Sequence, residues 1–362
     1  MKYTLKKTQF KLNYHIRLLK LIALSLFWGN IQAQELRILE RGRKTSIRGL
    51  SVVSEKVVWA SGSNGMVART VDGGLQFDWI QVPGYEKRDF RDVEALDAET
   101  AIIMAIDTPA VILKTRDGGK TWSIVLEDNR PGMFLDAMSF RGRSGVVVGD
   151  PVMGRAFLAK TSNAGDTWQV LDGPALVEGE AFFASSGSNV GFVKTAGASS
   201  DRHDLREWEM ALVSGGMQSR FFTKNTSFLL PMRSGRSSSG ANGLAVHPDG
   251  QSGIIFGGDF ASPKERDSSM LLFEFKKDKL TFNTPVIPPA GYKSHVVYLN
   301  DQELFSCGTS GIDFSEDGGK TWKHISDSPF HVMGLTPGDG KVWLAGPGGS
   351  IAIIFKKDRL LK

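Results

Sequence analysis

After residue 34 the chain is a succession of short apolar runs broken by turns rich in Gly, Ser, Asn and Asp. Val57-Val58-Trp59-Ala60 is followed by Ser61-Gly62-Ser63-Asn64-Gly65 and then by Met66-Val67-Ala68. The same order of events returns at Glu303 to Phe314 and again at Lys341 to Phe355. Runs this short, bounded by turn residues, predict β-strands, and no later stretch carries the spacing of an amphipathic helix. The expected class is all-β.

One octapeptide punctuates these runs. Thr70-Val71-Asp72-Gly73-Gly74-Leu75-Gln76-Phe77 returns as Thr115-Arg116-Asp117-Gly118-Gly119-Lys120-Thr121-Trp122. It returns again as Thr161-Ser162-Asn163-Ala164-Gly165-Asp166-Thr167-Trp168 and as Ser315-Glu316-Asp317-Gly318-Gly319-Lys320-Thr321-Trp322. The steps are 45, 46 and 154 residues, the last being three periods of about 51. Two degenerate copies are therefore expected in between, at Ser214-Gly215-Gly216 ahead of Phe221 and at Lys276-Lys277-Asp278 ahead of Phe282. Short strands repeating at such a period predict a β-propeller with one four-stranded antiparallel blade per repeat. Inner strands are expected near Ile47, Phe90, Leu135, Ala181, Gly243, His295 and Val332, which makes seven blades of about 47 residues. The last unit stops one strand short after Ile351 to Phe355, while Glu35 to Leu39 stands unassigned before the first. Pairing that N-terminal strand with the last blade closes the ring and removes a free sheet edge.

The octapeptide has a structural task. Asp72, Asp117, Asn163 and Asp317 can accept backbone N–H groups within a tight turn, the glycines supply left-handed positions, and Phe77, Trp122, Trp168 and Trp322 anchor the turn by burial. A calcium loop would need alternating ligands that the pattern lacks. This turn chemistry also accounts for 41 glycines in 362 residues, about 11% against a usual ~7%.

The formal charge of +5 would suggest a nucleic-acid or anionic-membrane partner if it were spread over the fold. It is not. Lys2, Lys6, Lys7, Lys11, Arg17 and Lys20 precede the apolar stretch Leu21 to Trp28, with no acidic residue among them, and Ile31-Gln32-Ala33 ends on a small side chain. This is the order of a secretory signal peptide, residues 1–33, with cleavage expected after Ala33. Its apolar part is too short to span a bilayer, so no stable membrane anchor is expected after cleavage. Loss of those six cations leaves 38 basic against 39 acidic residues, and the case for nucleic acid goes with them. Residues 34–362 then form one exported domain, periplasmic or secreted and monomeric. The single Cys307 reads as a small buried apolar residue.

The repeat resembles the Asp-box (BNR) propellers, and among them the branch of photosystem II stability/assembly factor-like proteins and their relatives in non-photosynthetic bacteria. The residues carrying the resemblance are the octapeptides with their upstream glycines, together with Gly149-Asp150-Pro151, Gly257-Gly258-Asp259-Phe260 and Gly291-Tyr292-Lys293-Ser294. It extends over nearly all of the chain after the leader and implies a non-catalytic, exported, seven-bladed protein that binds or helps assemble protein partners. The chain departs from the pattern in blade four, Glu180 to Pro231, which carries an insertion at 198–208. No cofactor is expected, since neither a nucleotide fingerprint nor a redox cysteine pair is present.

In a propeller, the turns before the first strand and between the second and third strands of each blade share one face, opposite the octapeptides. Arg48, Arg91, Asp92, Asp136, Glu180, Lys293 and His331 stand at first-strand starts, and Asp107, Asp150, Asp259 and Asp313 at second-to-third turns. Tyr292 lies beside Lys293. This face is the candidate binding surface, for a protein partner or a glycan. The rival reading is a glycan-active enzyme: Arg48 stands where a sialidase places its first arginine, and Asp150, Glu180 and Asp259 could supply a two-carboxylate hydrolase. A third reading is a carbohydrate-binding module without chemistry. No metal is expected from His203, His247, His295, His324 and His331, which lack paired ligand spacing. Arg233 to Gly240 reads as a Ser-rich loop whose two arginines could meet an anion.

Overall fold

The computed structural model describes residues 34–194, 208–224, 226–276 and 279–356. The expected leader and all of the 198–208 insertion except Trp208 lie outside them. The chain divides into two units, Leu36–Ile354 and Met1–Glu35 with Phe355–Lys362, and the first is the propeller.

Seven sheets follow one another. Blade one is Ile47–Val52, Val58–Gly62, Met66–Thr70 and Asp78–Gln81. Blade two is Phe90–Ala95, Ala101–Ala105, Ala110–Thr115 and Ser123–Asp128. Leu135–Arg141, Ser144–Val152, Arg155–Thr161 and Gln169–Ala175 make blade three. Blade four is Val190–Lys194, Trp208–Val213, Arg220–Phe222 and Ser227–Leu229. Ser239–Val246, Ser252–Asp259, Met270–Lys276 and Lys279–Asn283 make blade five. Blade six is His295–Tyr298, Leu304–Gly308, Gly311–Ser315 and Lys323–Ser326. Blade seven combines Val332–Leu335, Val342–Ala345 and Ile351–Lys356 with Gln34–Glu40 as its outermost strand. The inner strands pack side by side around the ring, the seventh against the first.

The strands are apolar on both faces because each sheet is sandwiched between two neighbours. Ala101 to Ala105 is buried throughout: Ile103 faces Trp59, Val67 and Phe90 of the blade one–two layer, while Ile102 and Met104 face Leu135 and Val147 of the next.

The octapeptides make one turn four times. In the second copy Thr115 Oγ1 donates to Asp117 Oδ1 at 2.8 Å and accepts from the Gly119 amide at 2.9 Å. Asp117 also accepts the Thr121 amide at 2.9 Å and hydroxyl at 2.6 Å, and the Trp122 indole donates to the Gly119 carbonyl at 3.1 Å. Ser315, Asp317, Thr321 and Trp322 repeat every one of these bonds. Asn163 serves as the acceptor in the third copy, at 3.0 Å from the Thr167 amide. The second glycine has a further duty, packing against the preceding blade. A methyl on Gly119, whose φ is +88°, would stand 2.7 Å from Ile80 Cδ1. Gly74, Gly165 and Gly319 lie equally close to Trp343, Ile102 and Ile254.

Two expectations are corrected. The inner strand of blade four begins at Val190, not near Ala181: Glu180–Ala181 instead pairs with Gly215–Gly216, and the two extend the sheet of blade five to six strands. Ser214-Gly215-Gly216 is accordingly not a degenerate octapeptide, because it joins the second and third strands on the opposite face. Glycine-rich turns serve both ends of a blade, so composition does not distinguish them. Lys276 ends the third strand of blade five, while Lys277 and Asp278 of the other expected copy lie outside the described residues. Cys307 is fully buried in the second strand of blade six, and burial pushes its thiol up to about 12.

Candidate binding site at the channel mouth

The connector from blade three to blade four does not run over the surface. Phe182 to Ser188 crosses the central channel as a strap tied to five blades. The Phe182 amide donates to Asp150 Oδ1 at 2.9 Å. Arg91 Nη1 donates to the Ala184 carbonyl and Arg48 Nη1 to the Ser185 carbonyl, each at 3.2 Å. Ser186 Oγ donates to the Ser294 carbonyl at 2.5 Å, and the Ser188 carbonyl accepts the Leu244 amide at 2.8 Å. Small residues make this possible, since Gly187 lies directly against the Asp92 carboxyl.

The strap leaves a cavity on each side. The one facing away from the octapeptides has a volume of 510 Å3 and is lined by Arg48, Arg91, Asp136, Asp150, Tyr292 and His331, with Asn242, Phe134, Phe183 and Phe260 among its walls. The other, of 570 Å3, holds Asp92, Glu94, His295 and Trp208. Of the residues expected at this face, Arg48, Arg91, Asp136, Asp150, Tyr292 and His331 therefore share one cavity.

The charges there are set by burial. Asp136 is completely enclosed, neither of its carboxylate oxygens has a partner of normal hydrogen-bond geometry, and burial with the nearby Asp150 charge raises its pKa well above the usual range. Burial raises Asp150 to about 6, the Phe182 amide opposing it. His331 is pushed down to about 3 by burial and by the two arginines, so it stays neutral. Tyr292 is raised to about 12 by burial and donates its hydroxyl to Asn242 Oδ1 at 3.2 Å. Arg48 is lowered by burial and by Arg91, yet an arginine remains charged at neutral pH. The cavity thus presents the Arg48 and Arg91 guanidiniums, the latter also facing the Asp89 carboxylate at 3.4 Å, beside two carboxyls, Asp136 and Asp150, whose ionisation burial opposes, and aromatic walls.

Four other candidates do not line it. Glu180 is buried in an ion pair with Arg220, Nε to Oε1 at 2.9 Å, and also accepts the Ser214 hydroxyl at 2.5 Å. Lys293 turns away from the channel to Ser310 Oγ at 2.9 Å, the Gly311 carbonyl at 3.0 Å and the Asp313 carboxylate. Asp259 faces Arg236 at 3.4 Å and accepts the Ala261 amide at 2.9 Å. Asp107 is exposed at the turn of blade two, with its carbonyl held by Arg88. Arg233 pairs with Glu265, so both arginines of the Ser-rich piece meet carboxylates of the chain itself. Sequence reasoning missed Asn242, Phe134 and Phe183. Phe260 stood in the Gly257-Gly258-Asp259-Phe260 motif, where attention to charge favoured its neighbour. Among the described residues no group of three His, Cys, Asp or Glu could hold a metal ion, and no helix is long and apolar enough to cross a membrane.

The fold has solved counterparts. It is similar to that of a structure described as YCF48 bound to D1 peptide, with 16% identity, a TM-score of 0.58 and coverage of 88% of this chain and 96% of the other. YCF48 from Cyanidioschyzon merolae is similar at 15% identity and a TM-score of 0.58, over 89% of this chain and 99% of the other. At these identities the YCF48 likeness establishes the seven-bladed architecture. No family model and no curated protein matches the chain.

Proposed function

We propose that this protein is an exported, non-catalytic propeller that binds a protein partner at the strapped mouth of its channel, as an assembly or stability factor. The observation that carries the reading is the placement of Arg48 and Arg91 side by side in a 510 Å3 cavity floored by the strap. Guanidinium forks recognise carboxylates in two-point fashion, and aromatic walls receive apolar side chains. A YCF48 structure of the same fold carries a bound peptide, which supports a polypeptide ligand. Export rests on the leader, and the near-neutral remainder argues against nucleic acid.

A hydrolytic reading gains less support. Of the three carboxylates that reading needs together, Asp150 lies in the cavity, whereas Glu180 and Asp259 face Arg220 and Arg236. The deciding experiment compares wild type with R91A in recovery of a stoichiometric partner from the native envelope, beside assays on aryl glycosides and sialosides. Partner retention lost in R91A is the expected result. Glycoside turnover abolished by D150A would overturn it.

A further inference from the structure

The cavity above the strap has an aromatic side and an ionic side, and the two meet at Arg48. Phe183, Phe260 and Tyr292 form a row of rings in side-chain contact, with centroids 5.8 Å and 6.4 Å apart and planes crossed at 84° and 82°. Phe260, in the middle, is 48% exposed, whereas Tyr292 is buried. The Tyr292 hydroxyl is spent on Asn242 Oδ1, so the row offers ring surface and no polar tip. Tyr292 and the neutral His331 both stand close enough to Arg48 to feel its charge.

The two arginines are not equivalent. Arg91 faces the Asp89 carboxylate through Nη2 at 3.4 Å and donates from Nη1 to the Ala184 carbonyl at 3.2 Å. Among the described residues no carboxylate lies within ion-pair distance of Arg48, whose guanidinium donates to the Ser185 carbonyl and feels Asp89 only from farther off. Asp150 is bonded to the Phe182 amide, with Asp136 enclosed near it. Two guanidiniums against Asp89 leave one positive charge unanswered at this spot, partly buried and next to rings. A desolvated charge calls for a partner of opposite sign, and rings crossed in series offer an arriving ring the same edge-to-face contact. A cavity of 510 Å3 with aromatic walls and few polar groups is of a size to hold both. We infer that the cavity receives an aromatic ring joined by a short link to one carboxylate, as an Asp or Glu next to a Phe, Tyr or Trp of the partner segment presents it. The ring lies against Phe260, and the carboxylate lies across Arg48 and Arg91. Asp89 is a positioning residue that holds Arg91 and fits the pocket to one negative charge and against two. This rests on the proposed function and adds the chemistry of the partner.

The test titrates the mature chain by calorimetry with hydrocinnamate and with the capped peptide acetyl-Gly-Phe-Glu-Gly-amide. Hydrocinnamate should bind about five-fold more tightly than cyclohexylpropionate, which has the bulk without the aromatic ring. It should also bind a few-fold more tightly than benzylmalonate, the same skeleton with a second carboxylate. R48Q should weaken every carboxylate about ten-fold. D89N should reverse the order of hydrocinnamate and benzylmalonate while keeping the preference for the ring, a change that loosened packing would not produce. In the peptide, Leu in place of Phe should cost about five-fold and Gln in place of Glu about ten-fold. Cyclohexylpropionate binding as well as hydrocinnamate would overturn the aromatic preference, and an unchanged order in D89N would overturn the role of Asp89. Binding indifferent to R48Q, or no binding by any probe, would overturn the inference as a whole. Hydrocinnamate bound while the peptide is not would overturn the proposed polypeptide ligand and leave the chemistry of the cavity standing.

Discussion

The Arg220 guanidinium grips the Glu180 carboxylate with two nitrogens, Nε to Oε1 at 2.9 Å and Nη2 to Oε2 at 2.5 Å. Glu180 is wholly enclosed, so its charge has no solvent to fall back on. Removing one member of such a pair leaves the other buried and uncompensated. R220A should cost about 3–5 kcal/mol in urea unfolding, and the apolar double variant E180L/R220M markedly less. A loss below about 1 kcal/mol for R220A would place Glu180 back among solvated residues.

Asp150 gives a pH signature in stability. Its folded value near 6 lies above its ordinary 3.8, so the folded state holds the proton more tightly than the unfolded one. The stability this confers is complete below about pH 4 and lost as pH rises through about 6. D150N keeps a carbonyl to accept the Phe182 amide and removes the charge. It should exceed wild type by about 3 kcal/mol at pH 8 and by well under 1 kcal/mol at pH 4, read from chemical denaturation at the two pH values.

The same group shapes binding. As pH falls from 8 to 5, Asp150 loses its charge while the arginines and a peptide carboxylate keep theirs, so affinity for an acidic peptide should rise a few-fold, and D150N should abolish that pH dependence. R91A should weaken binding about ten-fold at either pH, with R91K failing to restore it because a lysine lacks the fork. Titration calorimetry at pH 5 and 8 checks both statements.

Gly119 and Gly84 separate backbone strain from packing. Both have φ above +80°, but nothing lies within 4 Å of a methyl on Gly84, whereas Ile80 stands in the way at Gly119. G84A should cost about 1 kcal/mol and G119A about 2–4 kcal/mol. Equal losses in thermal unfolding would remove the inter-blade packing role of the second glycine.

Much of the architecture was legible because its causes are local. Asp117, Thr121 and Gly119 bond within a handful of residues, so the turn is written in the octapeptide and its spacing counts the blades. Blade four was misread for a physical reason: Glu180-Ala181 and Gly215-Gly216 form a strand pair only across a 35-residue separation, which no periodicity reports. Lys293 stood where a channel residue belongs, yet its ammonium finds Asp313 twenty positions away and turns from the channel.

From the sequence alone came the all-β class, seven blades, closure by the N-terminal strand and a face on which Arg48, Arg91, Asp150 and His331 converge. Tertiary structure decided what that face is. It showed that Phe182 to Ser188, two phenylalanines followed by five small residues, crosses the channel and divides it, and which charges are neutralised by distant partners. Turn chemistry and strand period act over a few bonds and can be read along the chain. Desolvation and ion pairing depend on distance through space, and only the folded ring sets those distances.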